Sequence, residues 1–342
     1  MRRNLKKQDT NAATRPMTAQ AITRPKEKWY KNLTKEKVRK FFMGSKDHEG
    51  FLKMFFIYAL LICIGFIYLY PMLYMISNSF MNLDDLLDSS INWIPGSFNI
   101  SNYIQAGKSM EFWKSFGQSI LVAGIPTICN LVSCSLIGYG LARFEFKAKK
   151  LVLGVIIFSF ILPSQITMIP TYVLFSKLGI LGTLWTFILP AILGVGLNAP
   201  IFILIFYQFF RQVPKVLIEA AQIDGAGYFK SFLKVSIPSA TPAIITVSLF
   251  SFVWYWNESY LTNLYVHGVM KASGWTTLVV QLKRFTANYN AYATGTGSTA
   301  TSLNESINMA GTMLSILPLL ILYFILQRYF VESIDRTGIT GE

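Results

Sequence analysis

One internal segment reads Val213-Pro214-Lys215-Val216-Leu217-Ile218-Glu219-Ala220-Ala221-Gln222-Ile223-Asp224-Gly225-Ala226-Gly227-Tyr228-Phe229-Lys230-Ser231-Phe232-Leu233-Lys234-Val235-Ser236-Ile237-Pro238. Pro214 suits a first helical position, where a missing N–H costs nothing. Val216, Leu217, Ala220, Ala221 and Ile223 form an apolar strip at helical spacing. Gly225 can take the left-handed conformation that ends a helix. A second short helix follows, with Phe229, Phe232 and Leu233 on one face, and Pro238 closes the segment. The pattern predicts two short helices set at an angle. An exposed amphipathic pair of this kind fills a groove on a partner. Ala220 and Ala221 permit close approach, and Glu219 offers a charge to a basic residue there.

Working outward, six stretches are apolar for about 20 residues, the length that crosses a bilayer. They run over about 55–77, 116–142, 151–175, 184–206, 240–261 and 307–330. The loops between them alternate in charge. Asp84, Asp85, Asp88 and Glu111 outweigh Lys108 and Lys114 after the first span. Arg143, Lys147, Lys149 and Lys150 follow the second, and Arg211, Lys215, Lys230 and Lys234 follow the fourth. The positive-inside rule then puts the quoted loop and both termini in the cytoplasm. Pro71, Pro126, Pro163, Pro170, Pro190, Pro200 and Pro318 lie in or beside spans and favour kinks. Kinks suit a cavity that opens and closes, and prolines are also common in membrane helices at large.

Composition agrees. Of 342 residues, 53% are hydrophobic and 14% charged, against about 25% charged in soluble domains. Fifteen of the 31 Lys and Arg lie at or before Lys53. A basic cytoplasmic tail accounts for them; no nucleic-acid motif is present, and no nucleic-acid partner is expected. Within that tail, Thr34 to Met43 reads either as a basic amphipathic helix on anionic headgroups or as a solvated stretch. Residues 1 to about 30 read as disordered, and Asn288 to Ser302, rich in Gly, Ser and Thr, as an external loop without its own core. Cys63, Cys129 and Cys134 lie in apolar stretches, and His48 and His267 have no ligand partners nearby, so no metal is expected. The first apolar run follows a long basic tail and is too long for a cleaved signal.

The run Glu219-Ala220-Ala221, three residues, then Gly225, with Ile237-Pro238 beyond, resembles the signature loop of binding-protein-dependent ABC importer permeases. Trp93-Ile94-Pro95 with Asn102-Tyr103, Tyr139-Gly140-Leu141-Ala142-Arg143-Phe144, Trp256-Asn257 and Gln327-Arg328-Tyr329-Phe330 resemble the maltose-type carbohydrate permeases. The resemblance implies an all-α membrane protein of six transmembrane helices, with the type I ABC importer permease fold and both termini cytoplasmic. It implies a basic tail over 1–50, a permease domain over 51–335 with a coupling loop at 213–238, and a cytoplasmic tail over 336–342. Glu219, Ala220, Ala221, Asp224, Gly225 and Phe229 would couple to an ATPase. The implied partners are a second homologous permease forming a heterodimer, two ATP-binding subunits, an extracytoplasmic solute-binding protein and membrane lipid. The setting is the bacterial cytoplasmic (inner) membrane. ATP and Mg would be used by the partner ATPase, with no cofactor in this chain. The chain departs from the pattern where Glu332 and Ser333 stand in place of a glycine after the terminal Arg-x-Phe.

No G-x-x-x-x-G-K-[ST] loop occurs, so the chain does not bind ATP by that route. The spans lack the buried charges of ion-coupled transporters, Glu258 excepted. Their polarity is neutral: Asn130, Gln165, Ser251, Tyr255, Asn257, Glu258, Asn308 and Thr312 are the candidate substrate path, with Trp254, Tyr255 and Trp256 to stack on a sugar. The same groups also serve to join helix to helix. The expected activity is inward movement of a di- or oligosaccharide by alternating access. The alternatives are a polyamine, anion or metal complex as cargo, or a membrane enzyme or scaffold, for which no catalytic constellation is found.

Overall fold

The structure is a computed structural model, and it describes residues 44–45, 48–88, 90, 93–267, 275–295 and 303–339. The basic tail before Gly44, including Thr34 to Met43, lies outside the described residues. By internal contacts the chain divides into residues 1–71 and 72–342. In the first unit, β1 (Gly44–Ser45) pairs antiparallel with β2 (His48–Glu49). The helix α1 (Phe51–Ser79) begins there, and Phe66 and Tyr70, one turn apart along it, meet edge to face.

In the second unit the elements are α2 (Leu83–Leu87), α3 (Ser101–Ser109), α4 (Phe112–Arg143), α5 (Lys149–Ile161), α6 (Ser164–Lys177), α7 (Trp185–Ile192) and α8 (Ala199–Gln212). There follow α9 (Lys215–Ile223), α10 (Tyr228–Ser231), a π-helical turn (Phe232–Ser236), α11 (Ile237–Ser239), α12 (Thr241–Asn257) and α13 (Tyr260–Thr262). A second π turn (Asn263–His267), α14 (Leu278–Lys283), α15 (Phe285–Gly295) and α16 (Glu305–Ile339) complete it. Three helices are long and apolar enough to cross a membrane, namely α1, α4 and the 305–328 part of α16; bent pairs raise the number to as many as six.

Two expected spans are broken. At Leu162-Pro163 the third turns by 100° between α5 and α6. The 13 and 14 residues of the halves reach only about 20 Å each at 1.5 Å per residue. The fourth is split between α7 and α8. Gly194 takes φ +73° and Asn198 φ +55°, and Pro200 enters in the first turn of α8.

Asn288 to Gly295, expected as loop, is helical instead. Phe285 and Tyr289, one turn apart, are both buried, and the Phe285 ring lies against Gly311, where a Cβ would come within 2.8 Å of it. The glycine-rich composition hid that apolar pair. Residues 296–302 lie outside the described set. The helix α16 continues to Ile339, through most of the expected C-terminal tail.

The Asn102-Tyr103 pair has a local reason. Asn102 Nδ2 donates to the carbonyls of Ser79 (3.0 Å) and Met81 (2.9 Å), and the Tyr103 and Ser79 hydroxyls share a 2.7 Å bond. These bonds close the loop after α1. The segment before α14 is tied to α4 by the Thr276 N–H on Gln118 Oε1 (2.8 Å) and the Leu278 N–H on Ser119 Oγ (2.9 Å).

The helix α4 is the spine of this unit, with α8, α12 and α7 all packed on it. At its crossing with α8, a Cβ on Gly138 would lie 2.6 Å from Phe206 Cβ and 3.0 Å from the Tyr207 N. Neither atom can swing away, because one is the root of a side chain and the other backbone. Gly138→Ala should therefore destabilise the bundle by about 1–3 kcal/mol through overpacking. Gly117→Ala on the same helix meets nothing within 4 Å and should be neutral or stabilising. Thermal unfolding of the two variants in one detergent checks this, and equal midpoints would contradict it.

Candidate functional site

The quoted segment folds as two helices that turn off the spans. The helix α9 departs from α8 by 74°, and the run 228–239 meets α12 at 80°. Val213 and Pro214 are extended, with ψ 122° and 133°, and α9 begins at Lys215, so Pro214 caps the helix rather than opening it. Arg143 Nη2 donates to the Val213 carbonyl at 2.7 Å. The last turn of α4 thus holds the start of the loop.

The end of α9 is a Schellman turn. The Ala226 N–H donates to the Ala221 carbonyl (2.9 Å), the Gly225 N–H donates to Gln222 (3.0 Å), and Gly225 has φ +81°. This 6→1 and 5→2 pairing satisfies carbonyls that a helix end otherwise leaves open. A Cβ on Gly225 would meet nothing within 4 Å. The glycine is therefore required by its backbone angle and not by crowding.

Packing then sorts the loop's side chains. Ile218 is the inward anchor of α9, a residue outside the apolar strip read from spacing. Val216 (70% exposed), Ile223 (86%) and Leu217 face outward, together with Glu219 and Ala220. Phe229, Phe232 and Leu233, expected on one face, are divided. Phe232 is buried, its ring 4.9 Å from Tyr139 and 6.0 Å from Phe210, while Phe229 (65% exposed) and Leu233 stay outside. The π turn that starts at Phe232 widens the helix there and changes which residues align. Tyr228 lies 5.2 Å from Phe144. The stretch from Tyr139 to Phe144 therefore seats the whole element. Beside it, the Lys149 ammonium, hydrogen-bonded at 2.9 Å, holds the Glu145 carboxyl below its usual range, and Lys215 adds to the effect.

The expected coupling residues thus share one element: Glu219, Ala220, Asp224 and Phe229 are exposed, Ala221 is half-buried, and Gly225 makes the turn between the helices.

The expected substrate-path residues separate into three groups. Asn130, Ser251 and Tyr255 meet in a buried cluster on the break of the fourth span. Asn130 Nδ2 donates to the Leu197 carbonyl (3.3 Å) and lies 3.5 Å from Ser251 Oγ. The Leu197 N–H donates to the Tyr255 hydroxyl at 3.0 Å. Ser133, read only as sharing a face with Asn130, donates to the Ala191 carbonyl at 2.6 Å. Gln165 and Asn257 are exposed on α6 and at the end of α12. Glu258 accepts from the Leu261 N–H (2.8 Å), and Thr312 donates to the Asn308 carbonyl (2.9 Å), with Asn308 and Thr312 half-buried on α16. The structure does not bring these eight residues into one site.

Gly196 was missed. A Cβ there would lie 2.4 Å from Asn130 Oδ1 and 2.8 Å from the Tyr255 hydroxyl. The run Gly194-Val195-Gly196-Leu197-Asn198-Ala199-Pro200 in mid-span was the available signal.

Gly225→Ala forces an L side chain into the left-handed region, at a cost of about 1–2 kcal/mol. Hydrogen exchange at the Ala226 amide should then speed up by about tenfold, with Gly225→Asn in between. Unchanged protection in Gly225→Ala would show that the turn does not depend on the glycine.

A family model described as binding-protein-dependent transport system inner membrane component matches residues 135–336. Protein LplC of Bacillus subtilis (strain 168) is 31% identical over 280 residues, covering 81% of this chain and 91% of its own. The arabinooligosaccharides transport system permease protein AraQ of Halalkalibacterium halodurans is 28% identical over 284 residues, covering 81% and 93%. The diacetylchitobiose uptake system permease protein NgcG of Streptomyces coelicolor is 28% identical over 279 residues, covering 82% and 86%. Among solved structures, a chain of a bacterial ABC transporter involved in the import of the acidic polysaccharide alginate superposes with a TM-score of 0.69 at 24% identity. The match covers 81% of this chain and 97% of that one.

Proposed function

The chain belongs to the family of binding-protein-dependent transport system inner membrane components, and from that premise we propose that it moves a di- or oligosaccharide inward, with the 213–238 element as its contact to the ATPase. As a multi-pass inner-membrane permease subunit it is not itself an enzyme; a separate ATPase and a solute-binding protein work with it. The finer assignment is a heterodimer with a second, homologous permease and two ATP-binding subunits, which use ATP and Mg.

One observation carries the coupling role. Val216, Leu217, Glu219, Ala220 and Ile223 on α9, with Phe229 beyond the turn, are exposed at the end of the bundle rich in Lys and Arg. Exposed apolar groups clustered on a rigid turn mark a surface that another protein covers. The alternation of charge along the loops supports a cytoplasmic position for this element and for both termini.

The reading of the cargo rests on different support. The relatives AraQ and NgcG are named for arabinooligosaccharides and diacetylchitobiose. Within this chain, Gln165 and Asn257 remain open, and Asn308 and Thr312 are partly open, all uncharged groups suited to hydroxyl-rich solutes. In the cycle we envisage, a loaded binding protein docks outside and nucleotide binding closes the ATPase dimer. The loop at Glu219 passes that closure to the spans, the cavity takes the sugar, and hydrolysis resets it.

Two measurements test this. In the reconstituted complex, Ile223→Asp or Glu219→Lys should lower ATPase activity stimulated by the loaded binding protein by about tenfold or more, as expected when a central contact of a docking surface is lost. Wild-type stimulation in both variants would remove the coupling assignment. Calorimetry on the cognate solute-binding protein should find an oligosaccharide ligand. Selective binding of a polyamine, an anion or a metal complex instead would overturn the cargo.

A further inference from the structure

The buried apolar residues of the second unit form two cores. One contains Phe187, Tyr255, Trp256 and Leu278; the other contains Tyr139, Phe202, Phe206 and Phe232. Three elements run through both. The helix α4 gives Val122 and Ala123 to the first core, and Cys134 and Tyr139 to the second. The helix α12 gives Tyr255 and Trp256 to the first, and Ala243 and Val247 to the second. The fourth span gives Phe187 from α7 and Phe202 from α8.

Where the cores meet, each of the three changes character. The helix α4 carries Asn130 and Ser133 there, α12 carries Ser251, and the fourth span unwinds over 193–198. The seam is polar, and its geometry centres on the unwound backbone. Tyr255 and Asn130 hold Leu197 by its N–H and its carbonyl. Gly196 lets both approach, since a Cβ would meet them within 2.8 Å. The seam is also incompletely satisfied. Thr127 Oγ1 is buried without a hydrogen-bond partner among the described residues, and the Asn130 side chain faces the Tyr255 hydroxyl across the seam. A buried acceptor left open is costly, and a group open in one arrangement is available to a second.

The two cores are attached to different things. The second holds α8 and Phe232, and so carries α9 and the turn at Gly225. The first holds Leu278, Phe285 and Tyr289, the segment tied to Gln118, Ser119 and Gln105. Any movement of one core against the other must be absorbed at the seam. Residues at element ends that can change φ and ψ are where hinges form.

We propose that residues 193–198 are a hinge between the two cores, and that Asn130 and Tyr255 are positioning residues that latch it. The inference rests on the importer reading for its consequence and not for its geometry. When the coupling helices are driven by the ATPase, α8 pivots at this break, and the latch decides how readily it does so. Asn130 and Tyr255 therefore act on transport through the backbone of Leu197, without contact to the cargo.

The experiment uses the complete transporter in lipid nanodiscs, with Tyr255→Phe, Gly196→Ala and, as a matched control, Tyr103→Phe, which loses its bond to Ser79. Two readouts are taken: hydrogen exchange of the peptide spanning 193–198, and the ratio of ATPase activity with and without the loaded binding protein. Tyr255→Phe removes one buried hydrogen bond, so exchange at Leu197 should speed up by about tenfold. Unstimulated hydrolysis should rise several-fold and the ratio fall. Gly196→Ala, which wedges the latch from the other side, should do the same, and the control should do neither. Wild-type exchange in both seam variants overturns the latch. Fast exchange with an unchanged ratio overturns the hinge. A wild-type complex with no stimulation at all would count against the importer reading alone, since exchange reads the latch independently.

Discussion

Backbone N–H and C=O groups inside a bilayer have no water to turn to, so each needs a partner within the protein. This constraint is sharpest where the fourth span breaks. The helix α7 ends as α9 does, with the N–H of Val195 on the Pro190 carbonyl (2.9 Å) and that of Gly194 on Ala191 (3.3 Å), around a left-handed glycine. What the turn leaves open at Leu197, neighbouring helices supply: Asn130 on its carbonyl and the Tyr255 hydroxyl on its N–H, while Ser133 adds a second donor to the Ala191 carbonyl. The break is tolerable because Asn130 and Tyr255, from two other helices, stand in for the missing helical bonds at Leu197. The placement of α4 against α12 and the fourth span follows from that requirement.

The same helix organises the other end. One turn of α4 supplies Gly138 for the close crossing with α8 and Tyr139 for the aromatic seat of Phe232; Arg143 then holds the Val213 carbonyl. The 213–238 element is thereby fastened on one side, by Ile218 and Phe232, and left open on the other. The proposed docking role would draw on both properties: a rigid attachment to transmit displacement, and exposed apolar groups to receive it. The bends of 74° and 80° aim it away from the spans that carry it.

How much of this was legible depended on range. The positions of the spans followed from apolar length, and the loop's two helices from Pro214, Gly225 and Pro238, each acting through its own backbone. The role of Gly225 is legible in the sequence because its left-handed φ is a local matter. The helix at 285–295 was not legible, because two buried aromatics among Gly, Thr and Asn become meaningful only when Gly311 makes room for one of them. Nor was the 100° turn in the third span, where Pro163 announces a kink without its size. Asn130, Ser251 and Tyr255 stand out in the sequence as polar groups inside apolar stretches. Their spacing along the helices did not reveal that they face a peptide backbone.

The sequence by itself determined that the chain is an all-helical membrane protein with a proline-bounded, glycine-turned loop at a basic end, because hydropathy, charge and backbone conformational preference are properties of residues and their near neighbours. Only the tertiary structure decided which side of α9 is anchored, that Phe232 parts company with Phe229 and Leu233, and that the polar residues of α4 and α12 converge on Leu197. Those outcomes depend on which groups distant in the chain come within hydrogen-bonding or packing distance, and in an apolar medium that proximity determines what each polar atom binds.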